Sequence, residues 1–388
     1  MESECDVILL SYESPDLLKK CVTSVLAHTR TRATLIIVDN GSQDPEVRRY
    51  LDKVHGNHIV DIEKVFCEEN TGFAKGMNKG MRLSDAPFIC LLNNDCVVTD
   101  GWLEEMISIA EKRNDIGLVN PQSSTFGSHP DHSVLINEHA KLLSDKKGQY
   151  VELGHAIGFA CLIKREVTEK IGYLDEVYEG VCYEDTDFSV RAQNSGYICV
   201  MAEGAYVFHR EQASRRTLEG KEEIYARNRK LFEDKWGKPV RVLYLDQAKD
   251  IYSQKEVKHD YEILKEMARL RVFVDMWVVD RYGAKTTKKG IDSIEADRHS
   301  DIGVLSVSPG LLWLKMLWKV MTKKKKYDAV ILRDGFTARI LSVIGRLRSL
   351  KVFILEAEDK VRGKNNEVFD LKQPAGLVGL LRGYQQYR

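Results

Sequence analysis

The sequence has no excess of charge of either sign. Lys+Arg and Asp+Glu both number 58 in 388 residues, so the formal net charge is zero. A nucleic-acid binder ordinarily carries a basic excess, and none is present to support that class. No run approaches the ~20 apolar residues that a membrane helix requires. The chain opens Met1-Glu2-Ser3-Glu4-Cys5-Asp6 and passes directly into Val7-Ile8-Leu9-Leu10. Without a basic segment followed by a long apolar one, the pattern of a secretory leader is missing. None of the eight cysteines (Cys5, Cys21, Cys67, Cys90, Cys96, Cys161, Cys182 and Cys199) forms a C-x-x-C pair. Several sit in apolar, strand-like text, which reads as buried reduced thiols in a cytosolic protein. There is no short-period repeat, and Lys323 to Lys326 is the one low-complexity tract.

What is present is an alternation of strand and helix text. Val7 to Ser11 reads as a buried strand. Pro15 to His28 places Leu17, Leu18, Cys21, Val25 and Leu26 on one helical face. Leu35 to Val38 and Val60 to Phe66 read as strands, Gly72 to Leu83 as a helix, and Phe88 to Leu92 as a further strand. Such alternation predicts a mostly parallel sheet covered on both faces, with its ligand beyond the carboxyl ends of the strands. Polar clusters stand at those ends: Ser11-Tyr12-Glu13, Asp39-Asn40-Gly41-Ser42 and Asn93-Asn94-Asp95. The text changes near Trp236-Gly237-Lys238-Pro239, after which cysteine is absent. Length and this change predict two domains, residues 1–238 and 239–388. The second opens a fresh series: strand Val240 to Leu245, helix Tyr261 to Leu270, strand Arg271 to Val279, and a loop with Lys285, Lys288 and Lys289. Strand Ile302 to Val307, helix Leu311 to Met321, strand Ala329 to Leu332, helix Phe336 to Leu347 and strand Lys351 to Leu355 follow.

Four features carry chemistry, each with a bland reading beside it. Asp95 follows a buried strand and can hold a metal, but Asn-Asn-Asp also favours turns for local hydrogen-bonding reasons. Tyr183-Glu184-Asp185-Thr186-Asp187-Phe188 leads into helical text from Ser189 to Asn194. Carboxylates there suit a general base, and equally suit capping and the helix dipole, above all at Asp187. His209 ends the apolar run Ala205 to Phe208 and precedes Arg210 and the pair Arg215-Arg216, which suits a metal or a diphosphate; a solvated loop is the plainer account. Gly72, Gly76 and Gly80 allow close backbone approach, to a ligand or to the sheet.

Taken in order, Ser11-Tyr12-Glu13, Val38 to Ser42, Asn70-Thr71-Gly72-Phe73-Ala74, Leu92-Asn93-Asn94-Asp95, Gly158-Phe159-Ala160 and Glu184 to Phe188 resemble the blocks of family 2 glycosyltransferases. The likeness covers roughly the first 240 residues and is greatest to the rhamnosyltransferase-like branch, which often carries Asn-Asn-Asp where others carry Asp-x-Asp. It implies an α/β fold of the GT-A type, a nucleotide diphosphate sugar donor (UDP or dTDP) and a glycan or lipid-linked acceptor. It implies that Ser11, Tyr12, Glu13 and Asp39 meet the nucleoside, and that Asn70, Gly72, Asn78 and Asn94 line the donor pocket. By the same resemblance Asp95 and His209 bind Mn²⁺ or Mg²⁺, Asp185 is the base, and Glu184, Gly158 and Phe159 border the acceptor. The expected reaction inverts the anomeric carbon. Asn93 stands where the family often has a carboxylate.

Tyr327 to Phe336 and Val352 to Asp359 resemble the amino-terminal, Rossmann-like half of family 4 glycosyltransferases of the GT-B fold. The chain stops at Arg388, so this region is expected to be inactive alone and to serve in docking or acceptor presentation, or as the start of a longer polypeptide. Leu311 to Met321, with Trp313, Trp318, Lys315 and Lys319, reads as a helix packed on its sheet; peripheral contact with a membrane, at its inner cytoplasmic face, is the second reading. Two other functions compete with sugar transfer. A nucleotidyltransferase needs a Gly-rich, basic phosphate loop after the first strand, which Ser11 to Pro15 lacks. A degenerate sugar-binding scaffold has no need of Asp95, Asp185 and His209 together.

Overall fold

The computed structural model describes residues 3–127, 135–180, 182–210, 220–246, 254–279, 298–308, 312, 315, 327–332, 350–356, 359–363 and 367–385. The chain divides into two compact units, Met1–Lys235 and Trp236–Arg388. Arg215-Arg216, Lys285 to Lys289, Lys323 to Lys326, the helix expected over Phe336 to Leu347, and nearly all of the one expected over Leu311 to Met321 lie outside the described residues.

In the first unit the elements run β1 (Cys5–Ser11), α1 (Pro15–His28), β2 (Ala33–Asp39), α2 (Pro45–Lys53), β3 (Val60–Phe66), α3 (Phe73–Leu83), β4 (Phe88–Asn93) and β5 (Cys96–Val98). Next come α4 (Trp102–Glu111), β6 (Ile116–Ser123), α5 (Ile136–Leu142), β7 (Tyr150–Leu153), β8 (Ala160–Lys164), α6 (Arg165–Ile171), α7 (Glu184–Asn194), β9 (Ile198–His209) and α8 (Lys221–Trp236). Among the described residues the sheet order is β3-β2-β1-β4-β8-β6-β9-β5, with β7 also paired to β9.

Apolar residues on both faces of each central strand explain the burial. Val7 and Leu9 of β1 join one core with Leu18, Cys21 and Val25 of α1, while Ile8 joins the other with Met77 and Met81 of α3. Glycine lets α3 approach closely: a Cβ on Gly76 would stand 2.5 Å from Leu10 Cδ1, and one on Gly80 only 2.3 Å from Ile8 Cγ2. Both positions are therefore used for packing on the sheet. The helices start where local chemistry permits. Pro15 and Pro45 occupy first-turn positions of α1 and α2, and the Asp44 side chain accepts from Glu46 N at 2.8 Å.

Among the described residues the expectation of a mostly parallel sheet holds for β1 to β4 and for the pair β6–β9, and not for the rest. The pairings β4–β8, β6–β8, β7–β9 and β5–β9 are antiparallel. A second correction concerns α7. It starts at Glu184 rather than near Ser189, so Glu184, Asp185 and Asp187 all lie in its first turn.

The second unit contains β10 (Val240–Asp246), α9 (Gln254–Arg269), β11 (Val272–Val279), β12 (Ile302–Val307), β13 (Ala329–Leu332), β14 (Lys351–Leu355), β15 (Lys360–Arg362), β16 (Val368–Asp370) and α10 (Ala375–Gln385). Its sheet order is β12-β11-β10-β13-β14-β15-β16. The first five strands are parallel and their order is that of a doubly wound sheet. The last two are antiparallel and, with α10, were not foreseen from the sequence. No helix among the described residues is long and apolar enough to cross a membrane.

Candidate active site

Register brings the polar clusters together at one edge. Ser11 pairs with Asp39, Asp39 with Phe66, and Leu10 with Asn93, so β1 to β4 end side by side. Ser11 Oγ is buried there with no hydrogen-bond partner among the described residues, and so is Asn93 Oδ1. Such atoms are costly unless something binds them. Asp39 is buried and accepts from Ser42 N (3.2 Å) and Ser42 Oγ (2.5 Å) through Oδ1. Glu13, in left-handed backbone at φ 51, accepts from Gln43 N (2.8 Å) and Asp44 N (3.1 Å). It thereby shapes the loop around Asp39 through both of its carboxylate oxygens. Tyr12 beside it is exposed.

Asn40 is the residue that sequence reasoning passed over. It is buried and donates to Asn70 Oδ1 (3.0 Å) and Gly72 O (3.2 Å), while its Oδ1 accepts from Thr71 N (3.1 Å) and Thr71 Oγ1 (2.9 Å). The loop Asn70 to Gly72 is thus fastened to the end of β2. Gly72 itself has φ +81, a conformation side chains disfavour, at the start of α3. Asn78 is corrected. Its amide donates to Leu174 O and Glu176 Oε1, both at 2.9 Å, and accepts from Leu174 N at 3.0 Å. With both N–H groups spent in a buried clasp, it anchors the Leu174 to Glu176 segment and has no donor left for a sugar.

Across this edge stand Asp95 and His209. Asp95 lies in the turn after β4 and His209 is the last residue of β9; Arg210 N donates to Asp95 O at 3.1 Å. Asp95 Oδ1 is 3.3 Å from His209 Nε2, an ionic distance without hydrogen-bond alignment, so this buried oxygen has no hydrogen-bond donor among the described residues. The His209 ring is fixed on two sides. Nδ1 lies 3.3 Å from Thr125 Oγ1, and the ring stacks on Phe159 with centroids 5.0 Å apart and planes at 13°. Such outer contacts orient a ligating imidazole. One carboxylate oxygen without a hydrogen-bond donor among the described residues, facing one imidazole nitrogen, suits Mn²⁺ or Mg²⁺, so these residues fit the ion. Cys96 adjoins the pair. Burial pushes its thiol well above the usual value, and its Sγ faces Phe159 O at 3.5 Å, so it is a packing neighbour and a poor ligand.

Asp185 reaches the same place from α7. Its Oδ2 accepts from Gly158 N at 3.0 Å and its Oδ1 from Thr186 N at 2.6 Å. Gly158 precedes Phe159, the ring stacked on His209, so one short loop joins Asp185 to the Asp95 and His209 pair. That loop is held from both sides. Asn120 of β6 donates to Ile157 O (2.7 Å) and Ala160 O (2.5 Å), and Ser189 of α7 accepts from Ala156 N at 2.9 Å. An asparagine inside the strand text Ile116 to Ser123 was the available signal for it. Glu184 is buried beside Asp185. Asp187 faces away: it meets Arg191 Nε (2.8 Å), Lys235 Nζ (2.8 Å) and the Tyr178 hydroxyl (3.3 Å), and is structural.

A cavity of about 370 Å³ opens at the opposite edge, lined by Ser3, Arg32, Asp61 and Asp85 near the amino ends of the strands. None of the residues above borders it.

The first unit, with its parallel half-sheet and its polar carboxyl edge, is a GT-A-like nucleotide-sugar transferase domain. Residues 6–172 match the model of Glycosyl transferase family 2; Asp185 and His209 lie beyond the match. The protein y4gI of Sinorhizobium fredii is 25% identical over 229 residues, which are 54% of this chain and 24% of y4gI. The O-antigen biosynthesis protein RfbC of Myxococcus xanthus is 27% identical, over 54% of this chain and 17% of its own. The low-salt glycan biosynthesis hexosyltransferase Agl10 of Haloferax volcanii is 23% identical, over 58% of this chain and 73% of its own. The chain thus spans about a quarter or less of the first two relatives. Among solved structures, the mannosyltransferase PcManGT of Pyrobaculum calidifontis with GDP-Man and Mn²⁺ aligns with TM-score 0.42 and 15% identity, over 55% of this chain and 58% of its own. S. aureus TarS with UDP-GlcNAc aligns with TM-score 0.44 and 12% identity, over 60% of this chain and 67% of its own.

Proposed function

We propose that the chain transfers a sugar from a UDP- or dTDP-linked donor to a hydroxyl of a glycan or glycolipid, inverting the anomeric carbon, with Mn²⁺ or Mg²⁺ bound. The observation that carries this reading is the meeting of three distant residues. Asp95 faces His209, His209 stacks on Phe159, and Gly158 beside it binds Asp185. The names of RfbC and Agl10, both tied to glycan biosynthesis, support the acceptor class.

Each part has a chemical task. Asp39 and the Ser11 hydroxyl face the nucleoside, and the Asn70 to Gly72 loop lines the donor. Asp95 and His209 hold the cation, which when bound offsets charge on the departing diphosphate. Asp185 accepts the proton of the acceptor hydroxyl. The freed oxygen bonds to the anomeric carbon from the face opposite the diphosphate, whose C–O bond breaks, and the nucleotide diphosphate leaves with the bonding pair. A single displacement of this kind inverts configuration. Gly158 N–H and Thr186 N–H fix the Asp185 carboxylate so that no reorientation precedes proton transfer.

The test measures nucleotide diphosphate release from a panel of UDP and dTDP sugars with Mn²⁺ or Mg²⁺. Asp185→Asn is expected to lower kcat by roughly 10³-fold, the range of a lost general base. Turnover unchanged by that substitution removes Asp185 from the role. Absence of turnover with every donor and either ion removes the activity.

A further inference from the structure

We propose that Tyr183 and Tyr225 form an aromatic shelf that receives the ring of the acceptor, which makes the acceptor a pyranoside rather than a non-sugar alcohol. This deepens the glycosyltransferase reading and rests on it. Neither residue lies in the segment matched to the family.

The shelf begins with backbone conformation. Cys182 and Tyr183 both have positive φ, at 77° and 78°, immediately before the α7 turn that carries Asp185. Two successive non-glycine residues in the left-handed region are held there only by surrounding structure, and such positions gather at functional sites. The conformation brings the Tyr183 ring against α8, where its centroid lies 5.5 Å from Tyr225 and 5.2 Å from Phe232. The hydroxyls of Tyr183 and Tyr225 stand 3.3 Å apart, side by side. Phe232 is buried, whereas Tyr225 is 47% exposed. The two tyrosine rings are tilted at 49° to one another, and Tyr225 is the exposed member, with the two hydroxyls adjacent.

Position favours the acceptor over other occupants. Tyr183 is two residues from the base. On the donor side, a Cβ placed on Gly72 would lie 3.8 Å from Gly180 N, and one on Gly180 would lie 3.1 Å from Ile224 Cγ2. The α8 turn bearing Ile224 and Tyr225 is thus one layer of chain away from the donor loop. The fit is kept by buried contacts. Asn228 donates to Glu179 O (3.0 Å) and Cys182 O (3.2 Å), and Lys235 meets Asp175 (2.9 Å). A pyranose offers a flat C–H face to an aromatic ring and equatorial hydroxyls to its polar rim, which is what a tyrosine pair recognises. A purely structural role needs only the Tyr183 and Phe232 contact and leaves the exposed Tyr225 ring without a purpose.

The experiment uses the full chain and methyl glycopyranosides of glucose, galactose, mannose and rhamnose as probes. Saturation-transfer NMR is expected to show contact with the ring C–H groups, lost in Tyr225→Ala and kept in Tyr225→Phe. In transfer assays with the probe that binds, Tyr225→Ala raises the acceptor KM by about 10-fold while the donor KM holds, the scale of one aromatic contact. No signal from any pyranoside with the wild-type chain, or an acceptor KM unmoved in Tyr225→Ala, overturns the shelf. Failure of the wild-type chain to release nucleotide from any donor sinks the underlying activity instead, and the NMR signal distinguishes the two.

Discussion

Among the described residues each unit has one cluster of side chains of metal-ligand type, and the two are in opposite electrostatic states. Asp95, Cys96 and His209 gather in the first unit, and His259, Asp260 and Asp359 in the second. In the second cluster the charges are already answered. Lys372 Nζ lies 3.1 Å from Asp359, His259 Nε2 also lies 3.1 Å from it, and the Tyr244 hydroxyl donates to Asp260 at 2.8 Å. In the first cluster a buried Asp95 oxygen has no hydrogen-bond donor among the described residues, and its ionic partner there is His209. Satisfied carboxylates hold a frame, and a buried one left without a donor is a place for a ligand. The same contrast extends to the sheets. Asp328 in the second unit accepts from Arg241 N at 2.8 Å and ties β10 to β13 at their amino ends. Ser11, Asp39 and Asp95 in the first stand at the carboxyl ends, where open α/β sheets bind ligands.

The comparison can be broken most forcefully at Asp187. It is fully buried between Arg191 and Lys235, and neutralising it leaves those cations without their shared partner. Asp187→Asn is expected to cost roughly 3 kcal/mol, toward the lower end for breaking a buried pair because both cations reach solvent. Hydrogen exchange resolved by peptide reports where the loss falls. Protection should drop across residues 175–194 and stay unchanged in β10 to β14. Equal loss in both units would show that they do not differ as argued.

A second variant separates chemistry from stability within the first unit. Thr125→Val removes the oxygen beside His209 Nδ1 and leaves the ring its stacking on Phe159. Apparent Mn²⁺ affinity should fall about 10-fold, with kcat recovered at saturating ion, since outer contacts of a ligating histidine carry this much. Titration of nucleotide release against Mn²⁺ measures it. Unchanged affinity would mean that Thr125 does not orient the ligand.

How much of this was legible in the sequence follows from the range of the interactions. Strands β3, β12, β13 and β14 and helix α1 were readable because short stretches rich in β-branched and apolar residues and 3.6-residue spacing are local signals. The antiparallel half of the sheet was not, since strand direction depends on partners far apart in sequence, such as Leu92 with Ala160. The start of α7 was misplaced because Glu184 and Asp185 read as loop, while Tyr183 in left-handed backbone sets the true boundary. Order and spacing singled out Asp95, Asp185 and His209 as candidates, but the side chains that hold them are single polar residues in apolar or loop text. Asn40, Asn120 and Thr125 give no pattern until their partners 30 to 84 residues away are in place. Asn78 misled for the same reason: its partners Leu174 and Glu176 lie nearly a hundred residues on.

The smallest effect is expected where the second unit's cluster is disarmed. Burial pushes the Asp359 carboxyl up, but Lys372 and His259 more than reverse this and hold it below the usual carboxylate range. A group whose folded value lies below its unfolded value of about 3.9 adds stability above that pH and loses it as pH falls through the folded value. Asp359→Asn should therefore lower stability at pH 7 by under about 1 kcal/mol, because Lys372 and His259 are half exposed and screened. It should also flatten the acid limb of unfolding below about pH 4, where the wild-type carboxylate is itself being protonated. Added salt should shrink the pH 7 difference, as it does for any solvent-facing pair. Chemical denaturation followed across pH 2 to 7 reads all three, with nucleotide release at pH 7 as the companion measurement. Release should be untouched. If Asp359→Asn instead abolishes transfer while the protein stays folded, the answered charges of the second unit belong to the chemistry, and the contrast between a frame and a site no longer separates the two units.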